Sequence, residues 1–226
     1  MFEIPEARPL TIAHRAANDV SRLRNAESLG VDFLECDIWL YEGRMEVRHE
    51  KTLGPLPFRW DHWKLEWKGP PRLVLEQLIE EWRGPGALLL DLKGTDGHLP
   101  GEVLRAVGDA AREVPFAVTA RTWGLLEPFG EVPGVATFPS AGSDTNIDGL
   151  FATGRHAHWH GIAVHRRLLS RNLVSRLHDL VPLVTTWPIN TLAAYEEVRA
   201  YGVDGVTSDS LEVLAHVLRT RGVAPA

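Results

Sequence analysis

Short apolar runs alternate with stretches of helical periodicity along the whole chain, and polar, glycine or proline positions separate them. That alternation predicts parallel strands joined by crossover helices. Eight strands are expected, at residues 10–16, 32–40, 87–93, 116–121, 135–140, 161–165, 183–187 and 205–208. Helical patterns fall at 20–29, 74–82, 100–113, 124–129, 148–154, 170–179, 191–201 and 211–219. Eight such units within 226 residues favour a closed (β/α)8 TIM barrel of the α/β class over an open doubly wound sheet. The length suits one domain over residues 1–226, since two domains would each lack a substantial core.

In such a barrel the strand ends form the active face, and here the polar residues that interrupt the strands fall late in each one. His14 and Arg15 end the first strand. Glu35 and Asp37 lie two apart in the second, so both point to one face while Leu34, Cys36 and Ile38 point to the helices. After a turn at Glu42-Gly43 the segment Arg44 to Glu50 alternates again. If Glu42-Gly43-Arg44 is a three-residue loop, a hairpin places His49 opposite Asp37. The third strand ends in Asp91 and Lys93. Three carboxylates repel one another unless a cation lies between them, so Glu35, Asp37 and Asp91 are expected to bind Mg2+ or Ca2+ through oxygen. Arg15 and Lys93 add positive charge that suits a phosphodiester. His14 and His49 titrate near neutrality and suit a general acid and a general base, in either order.

The stretches Ile12-Ala-His-Arg15, Gly30-Val-Asp-Phe-Leu-Glu-Cys-Asp37 and Val47-Arg-His-Glu50 resemble the signature of the glycerophosphodiester phosphodiesterase family. That family is related to the phosphatidylinositol phospholipase C-like barrels. Pro182-Leu-Val-Thr-Thr-Trp-Pro-Ile-Asn190 and Tyr201-Gly-Val-Asp-Gly-Val-Thr-Ser-Asp209 are similar to its closing elements, so the likeness spans almost the whole chain. The resemblance implies His14 and His49 as the acid–base pair, Glu35, Asp37 and Asp91 as ligands of a divalent cation, and Arg15 and Lys93 as phosphate contacts. It places Trp187 in the pocket. It also implies hydrolysis of a glycerophosphodiester to glycerol 3-phosphate and an alcohol, by attack of a neighbouring substrate hydroxyl and later opening of the cyclic phosphate by water. The chain departs from the pattern in several places. Ala16 replaces a glycine, a following Pro-Glu-Asn is missing, Glu50 replaces an aspartate, and the insertion after the second strand shrinks to 52–71. Asp91 replaces a glutamate, and its Asp-x-Lys spacing is similar to the sphingomyelinase D-like phospholipases.

A net charge of −6 leaves no basic excess for nucleic acid or an acidic membrane, so phosphate recognition must be local and the expected partner is a small phosphodiester. Cys36, the only cysteine, rules out an intramolecular disulfide and fits a cytoplasmic protein. The opening residues lack the basic start and apolar run of a signal peptide, and no apolar stretch is long enough to span or insert stably in a bilayer. Trp60, Trp63 and Trp67 have helical spacing and predict a short helix packing an aromatic stripe over the barrel. His156, His158, His160 and His165 read as an ordinary loop because no acid or cysteine accompanies them. Asp204 and Asp209 are expected to organise turns, and Arg121 is a second candidate phosphate contact. Two other functions fit the same motifs: a phospholipase D-like enzyme on lysophospholipids, with the aromatics of 58–67 lining an acyl groove, and a barrel that binds a phosphorylated ligand without turnover.

Overall fold

The computed structural model describes residues 4–53, 56, 58–61, 64–67, 69, 71–108, 114–153 and 158–221. In chain order the strands are β1 (Leu10–Ala13), β2 (Phe33–Tyr41), β3 (Arg44–Val47), β4 (Lys51–Thr52), β5 (Phe58–Asp61), β6 (Lys64–Trp67), β7 (Ala87–Leu92), β8 (Phe116–Ala120), β9 (Ala136–Ala141), β10 (Ile162–His165), β11 (Val184–Trp187) and β12 (Gly205–Ser208). Strands β1, β2 and β7 to β12 pair in parallel in the order β1-β12-β11-β10-β9-β8-β7-β2, and β1 also pairs with β2, which closes the ring. The helices are α1 (Val20–Leu29), α2 (Leu75–Glu81), α3 (Leu99–Gly108), α4 (Asp144–Thr153), α5 (Arg171–His178), α6 (Leu192–Tyr201) and α7 (Leu211–Thr220). This is a (β/α)8 barrel, with all eight expected strands in place.

Local chemistry sets the boundaries. Asp19, Ser170, Thr191 and Ser210 accept backbone N–H bonds at the starts of α1, α5, α6 and α7. The expected helix at 124–129 is a 3-10 segment, Trp123–Phe129, with Pro128 inside it. Helix α3 ends at Gly108, and residues 109–113 of the expected helix lie outside the described residues. Helix α4 begins at Asp144, earlier than its pattern indicated.

Alternation along the strands separates two apolar layers. Inside the ring, Leu10, Phe33, Leu89, Ala117, Phe138 and Leu183 belong to one buried cluster. Outside it, Leu34, Cys36, Ile38, Leu90 and Val118 pack with helical residues such as Leu23, Leu78 and Val103. Close packing inside the ring forbids a side chain at Gly161, where a Cβ would lie 2.4 Å from Phe138 Cε1 and 2.9 Å from Leu183 Cβ. Gly161→Ala should therefore destabilise by about 1–3 kcal/mol. Gly101→Ala in α3, where a Cβ meets nothing within 4 Å, should instead stabilise by about 0.4–1 kcal/mol. Urea midpoints of the two variants check the contrast, and equal midpoints would contradict it.

Two expectations fail in the segment after β2. The hairpin turn has two residues, Glu42 and Gly43, both at positive φ (47° and 72°), as a tight hairpin requires. Ile38 pairs with Val47 and Tyr41 with Arg44, so Asp37 faces Arg48, whose N–H donates to the Asp37 carbonyl at 2.9 Å, and not His49. The tryptophan segment is also not a helix. Residues β4, β5 and β6 form a small antiparallel sheet in which Phe58 pairs with Trp67 and Trp60 with Leu65. Phe58 and Trp67 stack edge to face at 5.5 Å, while Trp60 and Trp67 are 44% and 71% exposed. Trp63 lies outside the described residues. Buried Glu46 anchors this sheet to the barrel, accepting from Arg48 Nε at 2.5 Å and Arg59 NH2 at 3.2 Å.

Candidate active site

The strand ends of the barrel open into a cavity of about 400 Å3 lined by His14, Arg15, Glu35, His49, Asp91, Lys93 and Trp187 among others. Asp37 does not line it; its side chain is only 1% exposed and offers an oxygen within 4.8 Å of those of Glu35 and Asp91. All eight residues expected from the sequence are thus brought to one barrel mouth. Strand β1 stops at Ala13, and Arg15 takes a left-handed conformation (φ 51°) that turns the chain into a 3-10 segment, Ala16–Asn18. The Arg15 N–H then donates to Glu35 Oε2 at 2.5 Å, and Asn18 Nδ2 to Asp37 Oδ2 at 2.6 Å. Strand β7 pairs Asp91 with Asp37 in register, which brings the third carboxylate beside the other two.

Glu35, Asp37 and Asp91 each offer an oxygen within 4.8 Å of the others, the only such group of potential ligands among the described residues. Lys93 Nζ lies 2.7 Å from Asp37 Oδ1 and also donates to Asp91. The Nε of Arg15 is 3.7 Å from Asp37. Burial, then the charge of Asp37, pushes the Glu35 carboxyl up to about 8. Burial likewise raises Asp91 against the pull of Lys93. It acts on Asp37 too, but there the charge and hydrogen bond of Lys93, with the Asn18 bond, outweigh it and hold the carboxyl below its ordinary range. A divalent cation fits this donor set. The atoms are oxygens, and Asp91 Oδ1 is buried with no hydrogen-bond partner, a cost that a hard cation would remove.

Each histidine is held through Nδ1 by a carboxylate. His14 Nδ1 is 2.8 Å from Asp209 Oδ1, and Asn190 Nδ2 donates to the other oxygen of Asp209 at 2.8 Å. His49 Nδ1 is 2.8 Å from Asp61 Oδ1. Both rings line the cavity. Burial alone would lower His14, but the Asp209 bond and the charge of Glu35 outweigh it and hold the ring above its ordinary value. Burial, the largest influence on His49, holds that ring below its own. The His14 bond keeps Asp209 down at about 2.

No family model matches the chain, and no curated relative matches it. Solved structures do. An Oleispira antarctica phosphodiesterase in complex with the product sn-glycerol-3-phosphate superposes with a TM-score of 0.71 at 17% identity, over 94% of this chain and 96% of that one. A glycerophosphodiester phosphodiesterase from Parabacteroides distasonis gives 0.70 at 18% identity, over 96% and 99%. One from Thermotoga maritima gives 0.69 at 14% identity, over 94% and 99%. The fold is that of the glycerophosphodiester phosphodiesterases.

Within this glycerophosphodiester phosphodiesterase fold, the sequence pattern missed the groups that orient the histidines. Asp209 was expected only to shape a turn; it reaches His14 instead, and the Asn190 side chain that steadies it is the overlooked signal, a polar residue just past β11. Asp204, also expected to organise a turn, instead ties its segment to the neighbouring strand, accepting from the Val184 N–H at the start of β11 at 2.7 Å. Asp61 was hidden by the helical reading of its segment. His49 enters the cavity because β3 ends at Val47 and releases the chain from the ladder, not through strand alternation. Among the described residues the histidine cluster forms no metal-ligand group: His160 Nδ1 accepts from the Thr137 N–H at 3.2 Å and His165 packs against Trp187, while His156 lies outside the described residues.

Proposed function

We propose that this chain is a metal-dependent phosphodiester hydrolase that converts glycerophosphodiesters to glycerol 3-phosphate and an alcohol. The observation that carries the reading is the pair of carboxylate-held histidines, His14 with Asp209 and His49 with Asp61, facing one cavity with three clustered acids. The product bound by the Oleispira phosphodiesterase supports the substrate class. A ligand-binding barrel without turnover would have no use for two histidines poised in this way. The single free thiol of Cys36 suits a reducing, cytoplasmic setting, and residues 1–226 act as one barrel unit.

Glu35, Asp37 and Asp91 would hold Mg2+ or Ca2+, which when bound supplies charge stabilisation to the phosphoryl oxygens. Arg15 and Lys93 divide their charge between these acids and the substrate phosphate. One histidine takes the proton from the substrate hydroxyl next to phosphorus as that oxygen attacks, and the other gives a proton to the departing alcohol. Water then adds to the cyclic phosphate with the two roles exchanged. Trp187 closes the side of the pocket next to Asn190.

The test is release of glycerol 3-phosphate from a panel of glycerophosphodiesters, and of p-nitrophenol from bis(p-nitrophenyl) phosphate, with Mg2+, Ca2+ or EDTA. Cleavage that EDTA abolishes is expected. If neither metal supports cleavage of any diester, the hydrolase reading fails; cleavage indifferent to EDTA removes the cation from it. The exposed apolar face of Trp60, Leu65 and Trp67 favours a second reading, in which a lysophospholipid is the better substrate. Faster turnover of the acylated compound than of its deacylated form would select it.

Asp209→Asn should shift the limb of the pH–kcat/KM profile that belongs to His14 to lower pH, by about one unit. The sign follows from the contact: Asp209 stabilises imidazolium, so its removal makes His14 lose its proton sooner. A limb that stays in place would leave Asp209 a purely structural role.

A further inference from the structure

The cavity wall away from the acids carries chemistry that cleavage of the diester bond does not use. Past the end of β8, the Arg121 side chain extends to Trp187 at the end of β11, and its guanidinium carbon lies 5.2 Å from the indole centroid. The same indole meets His165 edge to face, centroids 4.7 Å apart and planes at 87°. All three residues line the cavity.

Arg121 differs from the other fixed cations there. Lys93 is bonded to Asp37 and Asp91, and Arg15 sits beside Asp37, so their charge is largely met by carboxylates. Among the described residues Arg121 makes no ion pair within 4 Å and acts on Asp91 only through its charge, while its guanidinium lies over an aromatic face, which orients it without neutralising it. Arg166 and Arg167 follow His165 directly on a 3-10 turn and add to the positive field. That field acts on His165, which is held below its ordinary value by burial first and then by Arg167, Arg166 and Arg121. A cationic headgroup such as choline needs a free aromatic face. Here the guanidinium covers the Trp187 indole, and like charges would repel.

An anion is what such a wall accepts. On a glycerophosphodiester the glycerol arm has only hydroxyls, so a second anion must belong to the alcohol. We propose that Arg121, held over Trp187, is a specificity-determining residue that binds a phosphate or carboxylate on the alcohol arm, so that diesters of acidic alcohols are preferred over those of choline. This rests on the diesterase reading above.

The experiment compares glycerophosphoinositol with glycerophosphoinositol 4-phosphate, which differ only in the added phosphate, alongside glycerophosphocholine, with metal-loaded wild type, Arg121→Ala and Arg121→Lys. Wild type should favour the phosphorylated diester by about tenfold or more in kcat/KM, alanine should bring the ratio near one, and lysine should keep part of it. A wild-type ratio near one, a ratio that survives in Arg121→Ala, or best turnover of glycerophosphocholine would overturn the proposal. Calorimetry with inositol 4-phosphate and with inositol separates this inference from the reaction itself. Tighter binding of the phosphate that is lost in Arg121→Ala supports the subsite even if no diester is cleaved, and equal binding to both proteins overturns it. Melting curves identify a variant that has failed to fold, in which case Arg121→Gln replaces it.

Discussion

Alanine in place of His14 or His49 lowers kcat by roughly 10²–10⁴-fold, the range for loss of a positioned acid or base. The loss is chemical rather than structural, because the two side chains are only partly buried, 28% and 29% exposed, and their carboxylate partners are accessible to water in the variants. Melting temperatures should therefore move by no more than a few degrees, about the effect of ~1–2 kcal/mol in a chain of this size. The double variant should be little worse than the worse single one, since the two histidines act as a unit. The leaving group separates their roles. On glycerol 3-(p-nitrophenyl phosphate), which keeps the attacking glycerol hydroxyl, p-nitrophenolate departs without a proton, so the variant that lacks the acid loses much less than on an alkyl glycerophosphodiester, while the variant that lacks the base loses about the same on both. A drop of less than tenfold on the alkyl diester for either histidine would take that residue out of the pair.

The second large effect concerns the acids. Protein stripped with EDTA should gain thermal stability when Mg2+ or Ca2+ is restored. Three carboxylates buried within reach of one another repel, and a cation that binds only the folded chain stabilises it by about 2.7 kcal/mol at a hundred times its dissociation constant. For a chain of this length that is a rise of roughly 5–10 °C. Glu35→Gln should remove most of this rise and at least about 100-fold of the activity, because the amide offers a weaker ligand and no charge. The metal-free variant should nonetheless melt above the metal-free wild type, since a buried carboxyl that is costly to ionise has gone. Wild type whose melting is indifferent to both cations would show that the acids are balanced by Lys93 and Arg15 alone.

The barrel was legible because its strands are short apolar runs bounded by turn residues, and because Glu35 and Asp37 interrupt one run at the spacing that sends both side chains inward. The same alternation misled at His49. Counting Glu42-Gly43-Arg44 as the loop assumes that Glu42 stays out of the left-handed region, and one residue of slip exchanges the two faces of a strand. Trp60, Trp63 and Trp67 satisfy a helical period, yet Phe58 with Trp60 and Leu65 with Trp67 satisfy a strand period equally well, so spacing alone could not decide between them. Asp61 and Asp209 were beyond reach for another reason: their meaning lies in partners 12 and 195 residues away, the first brought near by the small antiparallel sheet and the second by closure of the ring.

The longer of these contacts ties the fold's history to its chemistry. His14 emerges from the ribosome early, with Glu35, Asp37 and Asp91 following, but the carboxylate that holds it is made only after β12. Strand β12 is also the one that seals the ring against β1, pairing Ala13 with Ser208 immediately before Asp209. One event therefore both completes the barrel and arms the histidine. A nascent chain carries every candidate acid long before it has an oriented His14, so the proposed chemistry is withheld from partly made protein until synthesis of the ring is finished.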